Sequence, residues 1–122
     1  MKNLVSIIEI PVNDLGRASA FYQAVLQVTI EEMEMDGSQL GVFPAGEGTV
    51  NLVLIKGEGY EPSSAGVLIY LNAGDDLGPV LDRIEEQGGT VVVPRTLIDP
   101  EMGYFAVFTD TEGNKLGLHS IG

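Results

Sequence analysis

Three polar side chains interrupt strand-like segments that are otherwise apolar. Glu9 stands between isoleucines, Asn51 begins an apolar run, and His119, the only histidine of the chain, ends another. A carboxylate and an imidazole that meet across a cavity form an acid–base pair, in which the carboxylate orients the imidazole. Because a carboxylate buried among isoleucines is costly unless a partner satisfies it, Glu9 is the stronger candidate. Glu9 and His119 are therefore the candidate catalytic pair, or, together with Asn51 and water, weak metal ligands.

A structural interpretation of the same residues stays open. Glu9 can accept hydrogen bonds from backbone or hydroxyl groups, and His119 can sit unused near the exposed end of the chain. Since catalytic metals usually have three protein ligands, a metal held by this pair is the weaker of the functional alternatives.

Two adjacent aromatic residues, Tyr104 and Phe105, are further ligand-binding candidates. They lie on one predicted strand, so one points into the cavity and the other away from it. Strand parity does not decide which of the two points inward. Either ring can stack on a flat ligand or pack in the core. The preceding loop, which contains Met102, can act as a lid, and Arg95 can bind a ligand carboxylate or form a surface ion pair.

The elements that position these residues occur twice, about half a chain length apart. An apolar strand leads into Asp14-Leu15-Gly16, which is followed by a helical pattern. A second apolar strand leads into Asp76-Leu77-Gly78, which is followed by a second helical pattern. Three short strands follow each helix. This order predicts one domain over residues 1–122, with a βαβββ module at about 1–56, a connector at 57–65 and a second module at 66–122. The predicted fold class is α+β, with a cup-shaped half-barrel sheet and helices on its outer face.

Local signals place the boundaries of several elements. Asp14 is a predicted cap of the first helix, Asp75 or Asp76 of the second, and Asp36-Gly37 is a predicted hairpin turn. The second module begins with a predicted strand at 66–72, in which Leu68 and Tyr70 are assigned to the helix side although both faces are apolar. Its other strands are predicted at 90–93, 104–109 and 115–119.

Strand alternation then gives the lining of the cup. One face of each strand is uniformly apolar and should pack on the helices, so the opposite face should line the cavity. A largely apolar cavity with a few polar groups is typical of a small-molecule site. The predicted ligand-binding residues are Ile7, Glu9, Asn51, Val53, Val67, Ile69, Tyr104, Phe105 and His119.

Composition excludes several classes of partner. The chain has 122 residues, 44% of them hydrophobic, and a net charge of −12. Such a charge repels nucleic acids and anionic membranes, and no apolar run is long enough to cross a bilayer. The absence of cysteine excludes disulfides and thiolate sites, and it fits a cytoplasmic location.

Two motifs resemble those of a known superfamily. Ile8-Glu9-Ile10-Pro11-Val12-Asn13-Asp14-Leu15 near the start and Asp110-Thr111-Glu112-Gly113-Asn114-Lys115-Leu116 near the end resemble the vicinal oxygen chelate superfamily, which includes glyoxalase I, bleomycin-resistance proteins and extradiol dioxygenases. The resemblance implies paired βαβββ modules around a shared cavity, often in homodimers. In metalloenzymes of this superfamily, a divalent ion binds the substrate oxygens.

The resemblance also identifies where the metal ligands would stand. The four positions fall at Ile7, Asn51, Val67 and Gly117, and three of these residues have no donor atom in their side chains. No metal and no other cofactor are therefore expected at the standard site. The expected function is binding of a small, largely apolar molecule. The alternative is a divergent lyase or isomerase, related to lactoylglutathione lyase, that uses Glu9 and His119.

Overall fold

The computed structural model describes residues 3–122, which form two helices and eight strands in the order expected for two βαβββ modules. The elements are β1 (Ile7–Pro11), α1 (Leu15–Leu26), β2 (Glu31–Met35), β3 (Ser38–Val42), β4 (Asn51–Lys56), β5 (Tyr70–Asn72), α2 (Gly78–Glu86), β6 (Thr90–Asp99), β7 (Gly103–Thr109) and β8 (Lys115–Ser120).

The two modules have the same sheet topology. The first sheet has the strand order β1-β4-β3-β2, and the second has the equivalent order β5-β8-β7-β6. In each sheet the first and last strands of the module pair in parallel, and the remaining pairs are antiparallel. The predicted α+β fold and its internal duplication are thus confirmed, as two mixed sheets that do not close into a barrel.

The two helices begin in different ways. Asp14 caps α1 as predicted, because its side chain accepts a hydrogen bond from the backbone N–H of Arg17 at 3.0 Å. The cap of α2 is Leu77, which makes no side-chain capping bond. Asp76 instead accepts from the N–H of Gly78 at 2.9 Å and so stabilises the turn just before that helix. No helix within residues 3–122 is long and apolar enough to cross a membrane.

The core lies between the helices and one face of each sheet. Phe21 and Tyr22 of α1 meet edge to face with ring centroids 4.9 Å apart, and both rings are buried. Burial of large aromatic side chains is a major source of folding free energy. The predicted helix-facing residues Ile10, Leu116 and Leu118 lie in this core.

The assignment of faces in β5 was wrong. Leu71 is only 8% exposed and lies in the core, whereas Tyr70 is 48% exposed. Leu71 pairs with Leu118 and Tyr70 with Gly117, so the register to β8 determines which side each residue takes. Regular strand structure also begins at Tyr70 rather than at the predicted residue 66.

Strand β6 is longer than predicted, because it continues through Pro94 to Asp99. The pairing with β7 shifts register between Val93 and Thr96, on either side of this proline. Proline has no N–H to donate, so within a sheet it is tolerated at bulges and on edge strands, and β6 is an edge strand.

Candidate functional site

An apolar pocket lies on the open face of the second sheet. It has a volume of about 450 Å³ and is lined by Tyr70, Ile98, Met102, Phe105 and His119. Ligand pockets usually measure about 300 to 1,000 Å³ and are mostly apolar. Two of the predicted site residues, Phe105 and His119, meet here because they are paired on β7 and β8.

The structure decides between the two adjacent aromatic residues. Phe105 lines the pocket, whereas Tyr104 packs against the core. The guanidinium of Arg95 lies over the Tyr104 ring, 3.6 Å from the ring centroid, in a cation–π contact. Tyr104 and Arg95 therefore support the sheet rather than line this pocket.

Glu9 lines a different pocket, at the junction of the two modules. This pocket has a volume of about 220 Å³ and also includes the predicted residues Val67 and Ile69. Glu9 is exposed there, so its carboxylate does not bear the burial cost that its apolar neighbours suggested. The structure brings Glu9, Val67 and Ile69 together, and it places His119 in the other pocket.

The remaining predicted residues lie around β4. Asn51 pairs with Ile7 and lines a third pocket of about 260 Å³, near Asn3 and Val5. Val53 pairs with Glu9 and is half-buried. Within residues 3–122, the predicted lining of one cup is therefore divided among separate surface pockets.

His119 is held by the turn between β6 and β7. Its Nε2 lies 2.5 Å from the carbonyl oxygen of Met102, an arrangement in which the ring N–H donates to the carbonyl. The hydrogen bond therefore fixes the tautomer of a neutral His119, because the proton must be on Nε2 and Nδ1 is left as an acceptor. It also holds Met102, the residue predicted to belong to a lid, at the edge of the pocket.

Sequence reasoning missed Tyr70, whose ring forms part of the pocket wall. Its ring lies against Gly117, where an added Cβ would overlap three ring atoms. Tyr70 also makes an edge-to-face contact with Phe105, at a centroid distance of 6.3 Å and an interplanar angle of 70°. A large aromatic residue that pairs with a glycine across two strands would have indicated this packing. The sequence contains both residues, but recognising the pair requires the β5–β8 register.

The positions equivalent to the family's metal ligands do not fit a divalent ion. Ile7, Val67 and Gly117 have no donor atom, and the Tyr70 ring occupies the space that a side chain at position 117 would need. Among residues 3–122, no group of three or more histidine and acidic side chains is arranged to hold a metal. The expectation that the protein needs no cofactor stays a prediction.

The second sequence motif joins the modules instead of lining a pocket. In the turn between β7 and β8, Asp110 accepts a hydrogen bond from the Tyr22 hydroxyl at 2.6 Å. Asn114 donates to the carbonyl of Pro11 at 2.7 Å and accepts from the N–H of Ser63 at 3.0 Å. These contacts fasten α1, β1 and the connector to the second sheet.

Glu112 is the centre of this junction. Its carboxylate accepts from the backbone N–H groups of Asn13 and Asp14, both at 2.9 Å, and from Arg17 Nε at 2.6 Å. Burial by itself raises the pKa of Glu112, but hydrogen bonds from Arg17, Asp14 and Asn13 outweigh it, so the pKa lies below its ordinary value. In the same junction, burial is the main cause that raises the pKa of Tyr22 well above its ordinary value, and the charge of Asp110 raises it further. The phenol therefore stays neutral.

Comparison with known proteins identifies the family. A glyoxylase-like domain-containing protein from Didymella fabae is 32% identical over 120 residues, which cover 90% of this chain and 88% of the relative. A glyoxalase I mutant from Zea mays has a similar fold, with a TM-score of 0.75, 18% identity and coverage of 95% of this chain and 46% of that one.

TnmS3, an antibiotic binding protein from Streptomyces sp. CB03234, also shares the fold, with a TM-score of 0.66, 22% identity and coverage of 97% and 95% of the two chains. The family model of the Glyoxalase/Bleomycin resistance protein/Dioxygenase superfamily matches residues 4–118. Given this match over nearly its whole length, the chain belongs to the Glyoxalase/Bleomycin resistance protein/Dioxygenase superfamily.

Proposed function

We propose that this protein binds a small, largely apolar molecule in the pocket lined by Tyr70, Ile98, Met102, Phe105 and His119, without the standard divalent metal site of its superfamily. The observation that carries the proposal is the pocket itself, which has a ligand-sized volume of about 450 Å³ and an almost entirely apolar wall. The imidazole of His119 in this wall supplies a polar contact that can orient the ligand.

A divergent lyase or isomerase is the less supported alternative. It requires Glu9 and His119 to act on one substrate, and the two residues line different pockets of the described chain. The fold does not separate the alternatives, because it occurs both in a glyoxalase I and in an antibiotic binding protein.

The binding proposal predicts that a charge in the pocket wall weakens binding. Prodan, a neutral naphthalene dye whose emission shifts to the blue in apolar surroundings, should bind the wild-type protein. Ile98→Glu should weaken binding at least about tenfold, because a carboxylate in an apolar wall must be desolvated when the dye enters. Fluorescence titration gives both dissociation constants.

Two control variants make this test specific. Val92→Glu places the same charge on the same strand, at a residue of similar exposure (51%, against 44% for Ile98) that does not line the pocket. Glu9→Gln changes the carboxylate of the other pocket. Both controls should retain the wild-type affinity. Equal losses in Ile98→Glu and Val92→Glu, or no binding by the wild type, would contradict the proposal.

We also propose that the protein forms a homodimer through the open face of the first sheet. Ile7 is 60% exposed, and it lies on the same side of β1 as Glu9 because alternate residues of a strand share a face. Val67, which lines the Glu9 pocket, is 90% exposed. Exposed apolar side chains that lie together are typical of an interaction surface.

The dimer proposal predicts that Ile7→Glu dissociates the protein. Two added carboxylates in an apolar interface should weaken the dimer at least about tenfold. Val92→Glu, on β6 of the second sheet at 51% exposure, is the matched control and should have no effect. Sedimentation equilibrium measures the three dissociation constants, and a monomeric wild type at high micromolar concentration would refute the dimer.

A further inference from the structure

The pocket contains two aromatic rings whose arrangement leaves part of one ring free. Tyr70 and Phe105 meet edge to face, at an interplanar angle of 70°, rather than in a stack. Tyr70 nevertheless remains 48% exposed. Aromatic pairs prefer edge-to-face or offset arrangements, so a third ring can join the pair at the free ring surface. The geometry therefore provides a place for a flat aromatic group.

Gly117 keeps the Tyr70 ring in this position. The ring lies directly on β8, because Gly117 has no side chain to separate it from the strand backbone. Phe105, on β7 at the other side of β8, makes the edge-to-face contact with the Tyr70 ring. A ring held on two sides loses little further freedom when a ligand stacks on it, and such preorganisation favours binding.

His119 offers a defined polar contact in the pocket. His119 donates its Nε2 proton to the Met102 carbonyl, so Nδ1 of the neutral ring is an acceptor. A ligand that carries a hydroxyl or N–H group can donate to this atom. No lysine or arginine lines the pocket, and the chain carries a net charge of −12, so an anionic ligand meets no permanent positive charge there.

We infer that the ligand is a neutral, flat aromatic molecule with one hydroxyl or N–H donor, stacked on Tyr70 beside Phe105 and hydrogen-bonded to His119 Nδ1. The inference rests on the proposed binding function and narrows it to one chemical class. Tyr70 is then the residue that selects for flat rings, and His119 is the residue that selects for a donor.

Four probes of similar size test the two halves of this inference by isothermal titration calorimetry. The reference probe is 2-naphthol. The probe 2-methoxynaphthalene keeps the rings but lacks the donor, decahydro-2-naphthol keeps the hydroxyl but is not flat, and 2-naphthoate is an anion. One hydrogen bond contributes about 0.5–1.5 kcal/mol, and an aromatic pair contributes about the same beyond its buried area; each is about a 2- to 10-fold change in affinity. We expect 2-naphthol to bind about 2- to 10-fold more tightly than 2-methoxynaphthalene or decahydro-2-naphthol, and 2-naphthoate to bind most weakly.

Variants assign each preference to a residue. His119→Leu should remove the preference for 2-naphthol over 2-methoxynaphthalene. Tyr70→Leu should remove the preference for 2-naphthol over decahydro-2-naphthol, whereas Tyr70→Phe, which keeps the ring, should retain it. Each readout is the ratio of the affinities of two probes for one variant. A change in the pocket that weakens both probes equally therefore leaves the ratio unchanged. Circular dichroism verifies that each variant is folded.

The outcomes separate the ligand class from the binding function. If Prodan binds but the four naphthalene probes bind equally, or if the preferences survive His119→Leu and Tyr70→Leu, the ligand class is wrong and the binding function stands. If neither Prodan nor any of the four probes binds, both are wrong. Tight binding of 2-naphthoate would also overturn the ligand class, because that class is neutral and no lysine or arginine lines the pocket.

Discussion

Gly103→Ala is expected to destabilise the protein by about 2–5 kcal/mol. Gly103 has φ +88°, a left-handed backbone conformation that costs a residue with a Cβ about 1–2 kcal/mol. An added Cβ would also meet the carbonyl oxygens of Ser120 and Ile121, the latter at 2.8 Å. These are backbone atoms, which cannot rotate away as the end of a side chain can, so overpacking adds about 1–3 kcal/mol.

Gly113→Ala is the matched control for this substitution. Gly113 has nearly the same φ, +91°, but no heavy atom lies within 4 Å of its added Cβ. It should therefore lose only the conformational part, about 1–2 kcal/mol. Urea denaturation of both variants measures the difference, which isolates the steric contribution. Equal losses would show that the C-terminal backbone moves aside, and they would contradict the packing seen here.

The Gly103 substitution also affects the pocket. Gly103 follows Met102, whose carbonyl accepts the hydrogen bond from His119. A displaced turn would therefore release the imidazole and the edge of the pocket together. In a Gly103→Ala protein that remains folded, Prodan affinity should fall, whereas Gly113→Ala should bind as the wild type does.

The duplicated fold could be predicted because its signals are local. Apolar periodicity marks the helices and strands, and the Asp36-Gly37 turn is found as predicted, with positive φ at both residues. The Asp14 cap was also predictable from residue type alone. Each of these features depends on a few neighbouring residues, so their order along the chain identifies the two modules.

The errors in the fold arise where non-local pairing decides the outcome. In the fifth strand both faces are apolar, so alternation gave no preference, and pairing of Leu71 with Leu118 places Leu71 in the core. Likewise, a strand was predicted at 90–93 only, whereas the observed strand continues through Pro94 to Asp99. A bulge on the edge strand β6 accommodates the proline, because its missing N–H needs no partner there.

The site could be predicted only in part for a related reason. Alternation determines which side of a strand a residue occupies, and it correctly placed His119 on an open face. It contains no information on how one sheet is oriented toward the other. Glu9 and His119 were therefore assigned to a shared cup, whereas the described chain places them in separate pockets. Tyr70 was missed because the pairing of β5 with β8 determines which face of the sheet its side chain occupies.

Glu112→Ala is expected to cost about 3 kcal/mol, and most of this loss should come from two backbone groups. The carboxylate accepts from the N–H groups of Asn13 and Asp14 in part-buried hydrogen bonds, and a hydrogen bond to a charged group contributes about 1.5–3 kcal/mol. The ion pair contributes less, because the side chain of Arg17 is 52% exposed and solvent screens it. Arg17→Met should therefore cost less than Glu112→Ala.

Glu112→Gln tests the same junction through its pH dependence. Its amide oxygen can still accept from the backbone, so the loss at pH 7 should be about 1 kcal/mol. Because the folded-state pKa of Glu112 is lowered from 4.5, its charge stabilises the fold above that value, and this contribution is lost as the pH falls through the folded-state pKa. The difference in unfolding free energy between wild type and Glu112→Gln should thus shrink on acidification. Urea denaturation at pH 7 and at stepwise lower pH measures it, with the exposed Glu85→Gln as control. A difference that stays constant with pH would show that the carboxylate charge does not stabilise the junction between the modules.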